Sequence, residues 1–264
     1  MRILFPLLTL LLSGLCLQAQ DMRFFPQIGD GALAGLQVQT TLLFVNTGPE
    51  TLVTVDFFDS QGQPLVLTAD GISGTQRVIE LAGGEGLSLQ TSGQGNAQDS
   101  LALGYARLQA PESVEASAVF SVREKAGGTL LVEASVAAVH PQESFSIFFD
   151  SSGALDTGLA MVVTDGPGGT LTLTLRDAQG QALAERQIEI ASGERMAAFV
   201  TELLRDEVPG IGEMRGSLTV ESQAGPLAAV TLRQIAGVRF PQGVPTLTTF
   251  PVAPAIVSFQ APRR

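Results

Sequence analysis

The residues that most often carry chemistry are scarce in this chain. Its 264 residues include one histidine, His140, and one cysteine, Cys16. A Ser-His-Asp triad would have to use His140, and no Gly-x-Ser-x-Gly motif accompanies it. These counts also exclude a multi-histidine metal site, a cysteine-rich zinc site and a disulfide framework. We therefore expect His140 to be an ordinary linker or surface histidine, and we expect no cofactor.

Acidic residues are the remaining candidates for a chemical site. Calcium takes about six or more oxygen ligands, and two pairs could contribute carboxylates, Asp56 with Asp59 and Asp150 with Asp156. No Asp-x-Asp-x-Asp-Gly loop occurs, and turn formation alone explains Asp59. A glycosidase needs two facing carboxylates, which sequence spacing cannot reveal in a β fold. We expect no metal and no catalytic residue, and a carboxylate-based hydrolase stays open as an alternative.

Composition restricts the partners. The formal net charge is −11, and Lys125 is the only lysine, so the chain repels phosphate backbones and we expect no nucleic-acid partner. There is no tryptophan and one tyrosine, Tyr105, which weakens a carbohydrate-binding module but leaves it as an alternative. With 45% hydrophobic and 16% charged residues, the chain is too apolar to be disordered. The expected partner is an unknown protein or a surface glycan.

The first 19 residues have the pattern of a secretory signal peptide. Arg2 precedes an apolar run over residues 3–12, and Ala19 offers a small residue for cleavage. Cys16 lies in a sequence that resembles a lipobox, but Leu15 stands where a small residue is needed. After cleavage we expect a secreted, periplasmic or cell-surface protein with no membrane span in the mature chain.

The chain contains two similar segments. Residues 47–63 and 165–181 align at an offset of 118 without a gap, including Gly-Pro and Asp-x-Gln-Gly-Gln. Further matches keep the same order along the chain, and we interpret them as an internal duplication. They are Gly84-Glu85 with Gly193-Glu194, Gly104 with Gly216, and Arg123 with Arg233.

Each copy has the patterns of antiparallel strands. Residues 170–175 alternate threonine with leucine, so Leu171, Leu173 and Leu175 should be buried together on one face. About seven strands per copy, separated by turns every 8–12 residues, indicate a sandwich or barrel. In the second copy, apolar residues at helical spacing predict a short helix within residues 196–208.

The strand and turn phrases resemble the tandem immunoglobulin-like β-sandwich repeats of secreted bacterial proteins. The phrase is a strand ending in Asn46, an alternating strand over 53–58, and a turn over 59–62; the second copy has Thr164 in place of the asparagine. The resemblance implies an all-β fold of two tandem immunoglobulin-like antiparallel β-sandwich domains, with one short helix in the second. It also implies adhesion, spacing or partner binding without catalytic residues.

The predicted organisation is a signal peptide over 1–19, a first sandwich over 20–139, a second over 140–253 and a tail over 254–264. The first copy carries nine additional residues within 66–79, and an amide-rich segment over 90–100. Because loops on a rigid scaffold commonly carry binding, we expect both at one end of the first sandwich. The candidate partner-binding residues are Asp70, Ile72, Ser73, Gln94 and Asn96.

Overall fold

The computed structural model describes residues 20–94, 100–153, 155–235, 246–250 and 252–255. This part of the chain is mostly antiparallel strand, with one short α-helix, which confirms the prediction of an all-β fold. The predictions for the signal peptide, Cys16, Asn96 and most of the tail concern residues outside these ranges. None of the helices in the described ranges is long and apolar enough to cross a membrane.

The elements fall into a first half, residues 20–139, and a second half, residues 140–255. The strands of the first half are β1 (Asp21–Leu33), β2 (Leu36–Asn46), β3 (Thr51–Asp59), β4 (Leu67–Ala69), β5 (Ile72–Gly74), β6 (Gln76–Leu81), β7 (Gly86–Gln90), β8 (Leu101–Ala110), β9 (Val114–Glu124) and β10 (Leu130–Ala137). The second half contains β11 (Ser144–Asp150), β12 (Leu155–Val163), β13 (Gly168–Asp177), β14 (Ala182–Ala191), β15 (Arg195–Phe199), α1 (Val200–Leu204), β16 (Arg215–Ser222), β17 (Leu227–Ile235), β18 (Thr246–Phe250) and β19 (Ala253–Pro254).

The first half is a sandwich whose two layers are joined through β1. One layer has the order β1-β8-β3-β6, and the other has β7-β2-β9-β10. The end of β1, from Gly31 to Leu33, pairs with β2 and so connects the two layers by hydrogen bonds. Earlier in β1, a bulge between Phe25 and Ile28 shifts its register against β8. Both of these side chains are fully buried in the core between the layers.

The second half repeats these pairings. One layer has the order β14-β13-β16-β11 and the other has β15-β12-β17-β18, while the two-residue β19 adds to β11. If β2, β3, β7 and β8 are taken as strands B, C, E and F, the central pairs match the immunoglobulin order. The outer strands are exchanged, because β1 pairs with β8 and β9 pairs with β2. The same exchange occurs in the second half.

Residue alternation places the core as the sequence predicts. In β13, Leu171, Leu173 and Leu175 have no exposed surface and pack together, while the threonines between them are partly exposed. Since successive side chains of a strand point to opposite faces, one face of β13 belongs to the core and the other to the surface. The prediction of a shared buried leucine face is therefore confirmed.

The predicted helix is shorter than the sequence pattern indicated. Residues 195–199 form β15, which pairs along its whole length with β12, and α1 occupies only Val200–Leu204. A 3-10 turn follows over Ile211–Glu213. The apolar spacing of residues 196–204 fits both a helix and a strand that turns into one, and pairing with β12 decides the first part. The Glu202 carboxylate accepts the Phe199 N–H at 3.0 Å, at the start of the helix.

The two halves pack side by side rather than end to end. The outer face of the β12–β17 layer lies against the first half, where Ala160 and Val230 join the core of the first sandwich. A second buried cluster contains Phe24 and Tyr105 from the first half and Val162 and Ala228 from the second.

Arg195 strengthens this junction. Its Nε donates to the Pro26 carbonyl at 2.8 Å, and its guanidinium also donates to Ser60 Oγ at 3.3 Å. Burial lowers the pKa of Arg195 to about 10, because water no longer solvates the charge. A buried side chain of the second half is thus fixed by acceptors of the first half.

Candidate functional site

The additional residues of the first half form the β4–β5 hairpin. Asp70 and Gly71 make its turn with φ of 47° and 76°, a left-handed pair that suits a two-residue hairpin turn. Ser73 Oγ lies 2.7 Å from Thr68 Oγ1 across the hairpin. The Ile72 side chain is 57% exposed.

The hairpin is held against the segment that follows β7. Asp70 N donates to the Gln90 carbonyl at 3.0 Å, and Ser92 N donates to the Thr68 carbonyl at 2.8 Å. On the inner side of the hairpin, Leu67 and Ala69 are 1% exposed and belong to the core of the first sandwich. The two predicted loops therefore lie next to each other at one end, which we call the tip: residues 67–74 and 90–94.

A buried carboxylate fixes the second part of the tip. Asp30 is 1% exposed and accepts the Gly93 N–H at 2.5 Å, with Ser92 Oγ at 3.3 Å. Gln94 N in turn donates to Ser92 Oγ at 3.1 Å, and the Gln94 side chain is exposed. Sequence reasoning did not identify Asp30, although an acid inside an apolar strand was the available signal. Asn96, the remaining predicted residue, lies outside the described ranges.

The tip thus presents adaptable polar groups around one apolar side chain. Asp70, Ile72, Ser73 and Gln94 are all exposed, while the backbone that carries them is hydrogen-bonded to the sandwich. Hydroxyl and amide groups make adaptable hydrogen bonds, as they do in antibody loops. Such a surface can bind a partner.

The acidic pair Asp56 and Asp59 is engaged within the protein. Asp56 accepts from Arg107 at 2.9 Å and from Gln76 at 2.7 Å. Asp59 Oδ1 accepts the backbone N–H groups of Gln61 and Gln63 at 2.8 and 2.9 Å, which closes its turn. Each carboxylate therefore has a structural role that explains its position.

Asp150 and Asp156 also have protein partners. Asp150 lies 3.3 Å from Arg215 and 3.5 Å from Arg233; burial opposes its ionisation, but hydrogen bonds from Ser152 and the charge of Arg215 lower its pKa. Asp156 accepts from Thr201 at 2.6 Å, and burial raises its pKa. Across the described residues, no group of three or more histidine, cysteine or acidic side chains could hold a metal ion.

His140 lies in the connection between the halves and is 63% exposed. Its Nε2 is 2.6 Å from Asp21 Oδ2, and the same carboxylate oxygen lies 3.2 Å from Arg23 Nε. Next to it, Val139 exchanges two backbone hydrogen bonds with Phe24. The geometry ties the connection to β1.

The aromatic residues do not form an open platform around Tyr105. That side chain is 5% exposed and stacks on Phe58 with the ring centroids 5.0 Å apart, while the guanidinium of Arg107 lies over Phe58. Burial raises the pKa of Tyr105 to about 12, with Arg107 acting in the opposite direction. The only tyrosine therefore belongs to the junction between the halves.

Phe148, by contrast, is 47% exposed on the outer face of β11.

No protein-family model, curated protein or solved structure matches this chain. Functional inference therefore depends on the geometry of the chain itself.

A cleft of about 320 Å³ lies apart from the tip, and the sequence analysis did not identify it. It lies on the outer face of the β15–β12–β17 layer, where Gln27 in the β1 bulge forms one wall. Its floor and walls come from three separate strands, α1 and the other half of the molecule. No short motif could have indicated it, because its residues converge only in the folded chain.

Proposed function

We propose that the chain is an exported, non-catalytic binding protein whose two sandwiches act as one rigid support for the tip. The observation that carries this proposal is the attachment of the β4–β5 hairpin to the segment after β7. A loop that is already ordered loses little conformational entropy when a partner binds, which favours affinity. The partner would be a protein or a surface glycan at or outside the cell surface.

The side-by-side packing supports the rigid part of this proposal. Ala160 and Val230 of the second half contribute to the first core, and Arg195 donates hydrogen bonds to Pro26 and Ser60 across the junction. Separating the halves would expose this apolar surface and leave a buried guanidinium without its acceptors. The two sandwiches would therefore present the tip in one fixed orientation rather than act as flexible beads.

A point substitution in the tip tests this proposal better than a deletion. Removing residues 67–74 would also remove Leu67 and Ala69 from the core, so loss of binding would be confounded with unfolding. Ile72 is exposed, so Ile72→Asp changes the tip surface without touching the core. Leu183→Asp is the matched control, since Leu183 is 42% exposed on β14 in the second half.

The experiment is a cross-linked pull-down from a cell-surface extract, together with a glycan array, using residues 20–264. We expect Ile72→Asp to abolish capture of a partner that both the unaltered protein and Leu183→Asp retain. Circular dichroism and thermal midpoints should be the same for all three proteins. Equal capture by Ile72→Asp would show that the tip is not the binding surface, and a glycan signal without protein capture would identify the sugar class of partner.

A further inference from the structure

We propose that the cleft beside Gln27 binds an extended peptide segment through a large apolar side chain that is adjacent to an arginine or lysine. This site lies on the second half, apart from the tip, and its function would be independent of the binding proposed there. Three features support the proposal: the size of the cleft, the small residues of its floor and the charge at its rim.

The floor of the cleft is built from small residues. Gly158, Ala160 and Ala197 lie side by side on β12 and β15, and Phe199 and Leu232 form apolar walls. At about 320 Å³, the cleft is at the lower end of the range for ligand pockets, enough for one or two side chains. It is open on one side, which suits a segment that lies across it better than an enclosed small molecule.

The backbone conformation does not require glycine at position 158. Its φ is not in the left-handed region, and an added Cβ would meet Leu232 O at 3.4 Å and the Phe199 ring at 3.6 Å, which are ordinary contacts. Gly216 differs, because an added Cβ there would lie 1.9 Å from the Arg176 carbonyl oxygen. An alanine could therefore occupy position 158, and glycine keeps the floor low beside Phe199.

Polar side chains at the rim of the cleft favour a cationic group in the ligand. Glu202 is the only charged residue among the described residues that line the cleft, and Gln27 and Gln234 provide amides. Glu202 uses Oε2 to accept the Phe199 N–H, which fixes the carboxylate at the edge of the cleft.

The buried cation Arg195 does not compensate this charge at the rim. Arg195 lies two residues before Ala197, but its guanidinium donates to Pro26 and Ser60 in the junction. The whole chain is also acidic, with a net charge of −11. A cationic side chain next to an apolar one can therefore place its apolar part on the floor and its charge beside Glu202.

The probes are two blocked tetrapeptides, acetyl-Gly-Arg-Phe-Gly-amide and acetyl-Gly-Glu-Phe-Gly-amide, titrated into ¹⁵N-labelled protein of residues 20–264. We expect the arginine peptide to shift the amide signals of Gly158, Ala160 and Ala197, and to bind more tightly than the glutamate peptide. Higher salt should reduce that difference, because the rim charge is partly exposed to solvent.

Three variants separate the contributions. Ala197→Leu fills the floor from an exposed position, and we expect at least about tenfold weaker binding. Glu202→Gln keeps an acceptor for the Phe199 N–H but removes the charge, and we expect about twofold to fivefold weaker binding of the arginine peptide only. Glu185→Gln removes an exposed charge on β14 and should leave both affinities unchanged.

Several outcomes would overturn this proposal. They are equal binding of the two peptides, no signal shift at the cleft at millimolar peptide, or unchanged binding by Ala197→Leu. Self-association detected by light scattering and abolished by Ala197→Leu would assign the cleft to a second copy instead. Ile72→Asp should bind the arginine peptide as the unaltered protein does, so failure at the tip and failure at the cleft are distinguishable.

Discussion

The two halves of the molecule share one arrangement of paired strands and turns, which we call the frame. Each half adds a different element to it. In both, the second strand pairs with two neighbours in one layer, and the strand before the Asp-x-Gln-Gly-Gln turn belongs to the other layer. The first half adds the β4–β5 hairpin, and the second adds α1 and the 3-10 turn before β16. The comparison shows that turn residues preserve the frame, while connections between paired strands accept new elements.

The matching turns of the two halves are closed by the same hydrogen bonds. Asp177 accepts the N–H groups of Gln179 and Gln181 at 2.9 and 2.8 Å, as Asp59 does for its own turn. The carboxylates of Glu85 and Glu194 each accept the backbone N–H three residues earlier at 2.8 Å. These side chains bond only to the backbone of their own turn, so they stabilise it whatever surrounds it. This explains why the sequence similarity between the halves is concentrated in these residues.

The contact between the two halves makes the surroundings of the matching turns different. An added Cβ at Gly62 would lie 2.8 Å from the Gly193 carbonyl oxygen of the other half, whereas Gly180 has no atom within 4 Å of that position. Both glycines have φ near 80° in matching turns. Equivalent turns therefore have different surroundings, and substitutions at paired positions can measure the junction separately from the frame.

The largest expected effect tests whether the halves unfold together. Leu173→Ala creates a cavity at a fully buried position, and we expect a loss of about 2–5 kcal/mol in the free energy of unfolding. In urea unfolding followed by fluorescence and circular dichroism, one transition should move as a whole, because the halves share a core. Leu183→Ala, at an exposed position, should change stability by less than about 0.5 kcal/mol. Two transitions, of which only one moves, would contradict the shared core.

Alanine at the paired glycines isolates the junction. Gly180→Ala should cost about 1–2 kcal/mol, the strain of a left-handed alanine. Gly62→Ala carries the same strain and also the clash with Gly193, so its loss should be larger by roughly 1–3 kcal/mol. The free energies come from urea unfolding of both variants. Equal losses would mean that the halves separate easily at this contact.

The paired aspartates test the frame alone. Asp59→Ala and Asp177→Ala each remove a carboxylate that accepts two backbone N–H groups, and we expect a loss of about 1–2 kcal/mol in each case. Because both turns are exposed and have the same hydrogen bonds, the two losses should agree within about 0.5 kcal/mol. Thermal unfolding of the two variants provides the measurement, and a difference above 1 kcal/mol would show that the matching geometry hides different surroundings.

The smallest expected effect concerns pH and distinguishes two acids of the second half. The pKa of Asp150 is lowered in the folded state, so its contribution to stability is present above the unfolded value near 4 and is lost as the pH falls. Asp156 has a raised pKa, so its carboxyl group favours the folded state at low pH and loses that advantage as the pH rises through the folded value. Thermal midpoints from about pH 3 to 7 should fall less steeply on acidification for Asp150→Asn and more steeply for Asp156→Asn than for the unaltered protein. Parallel curves for all three would contradict both assignments.

Local patterns were enough to predict the all-β fold class and individual strands and turns, but not the number of strands. The leucines of β13 alternate with threonines, and the Asp-x-Gln-Gly-Gln phrases form the turns that their residues favour. The length of α1 could not be predicted, because pairing of Met196 and Ala198 with β12 competes with helical spacing and depends on a distant strand. The additional residues of the first copy predicted a loop that contains Asp70, Ile72 and Ser73, but they did not predict that it forms the β4–β5 hairpin. The side-by-side junction and the cleft had no local signal, since they join residues that are distant in the sequence, such as Arg195 with Pro26 and Gly158 with Gln27.

The lateral packing of the halves has a consequence for how the chain is made. Ribosomes synthesise the first half before the second, so the flank that later receives Val162 and Ala228 is uncovered during that interval. Phe24 belongs to that flank, and nascent chains with bare apolar surface recruit chaperones or aggregate. A fragment that ends near Val139 would keep this exposure permanently. The second half therefore acts towards the first as an intramolecular chaperone that never dissociates.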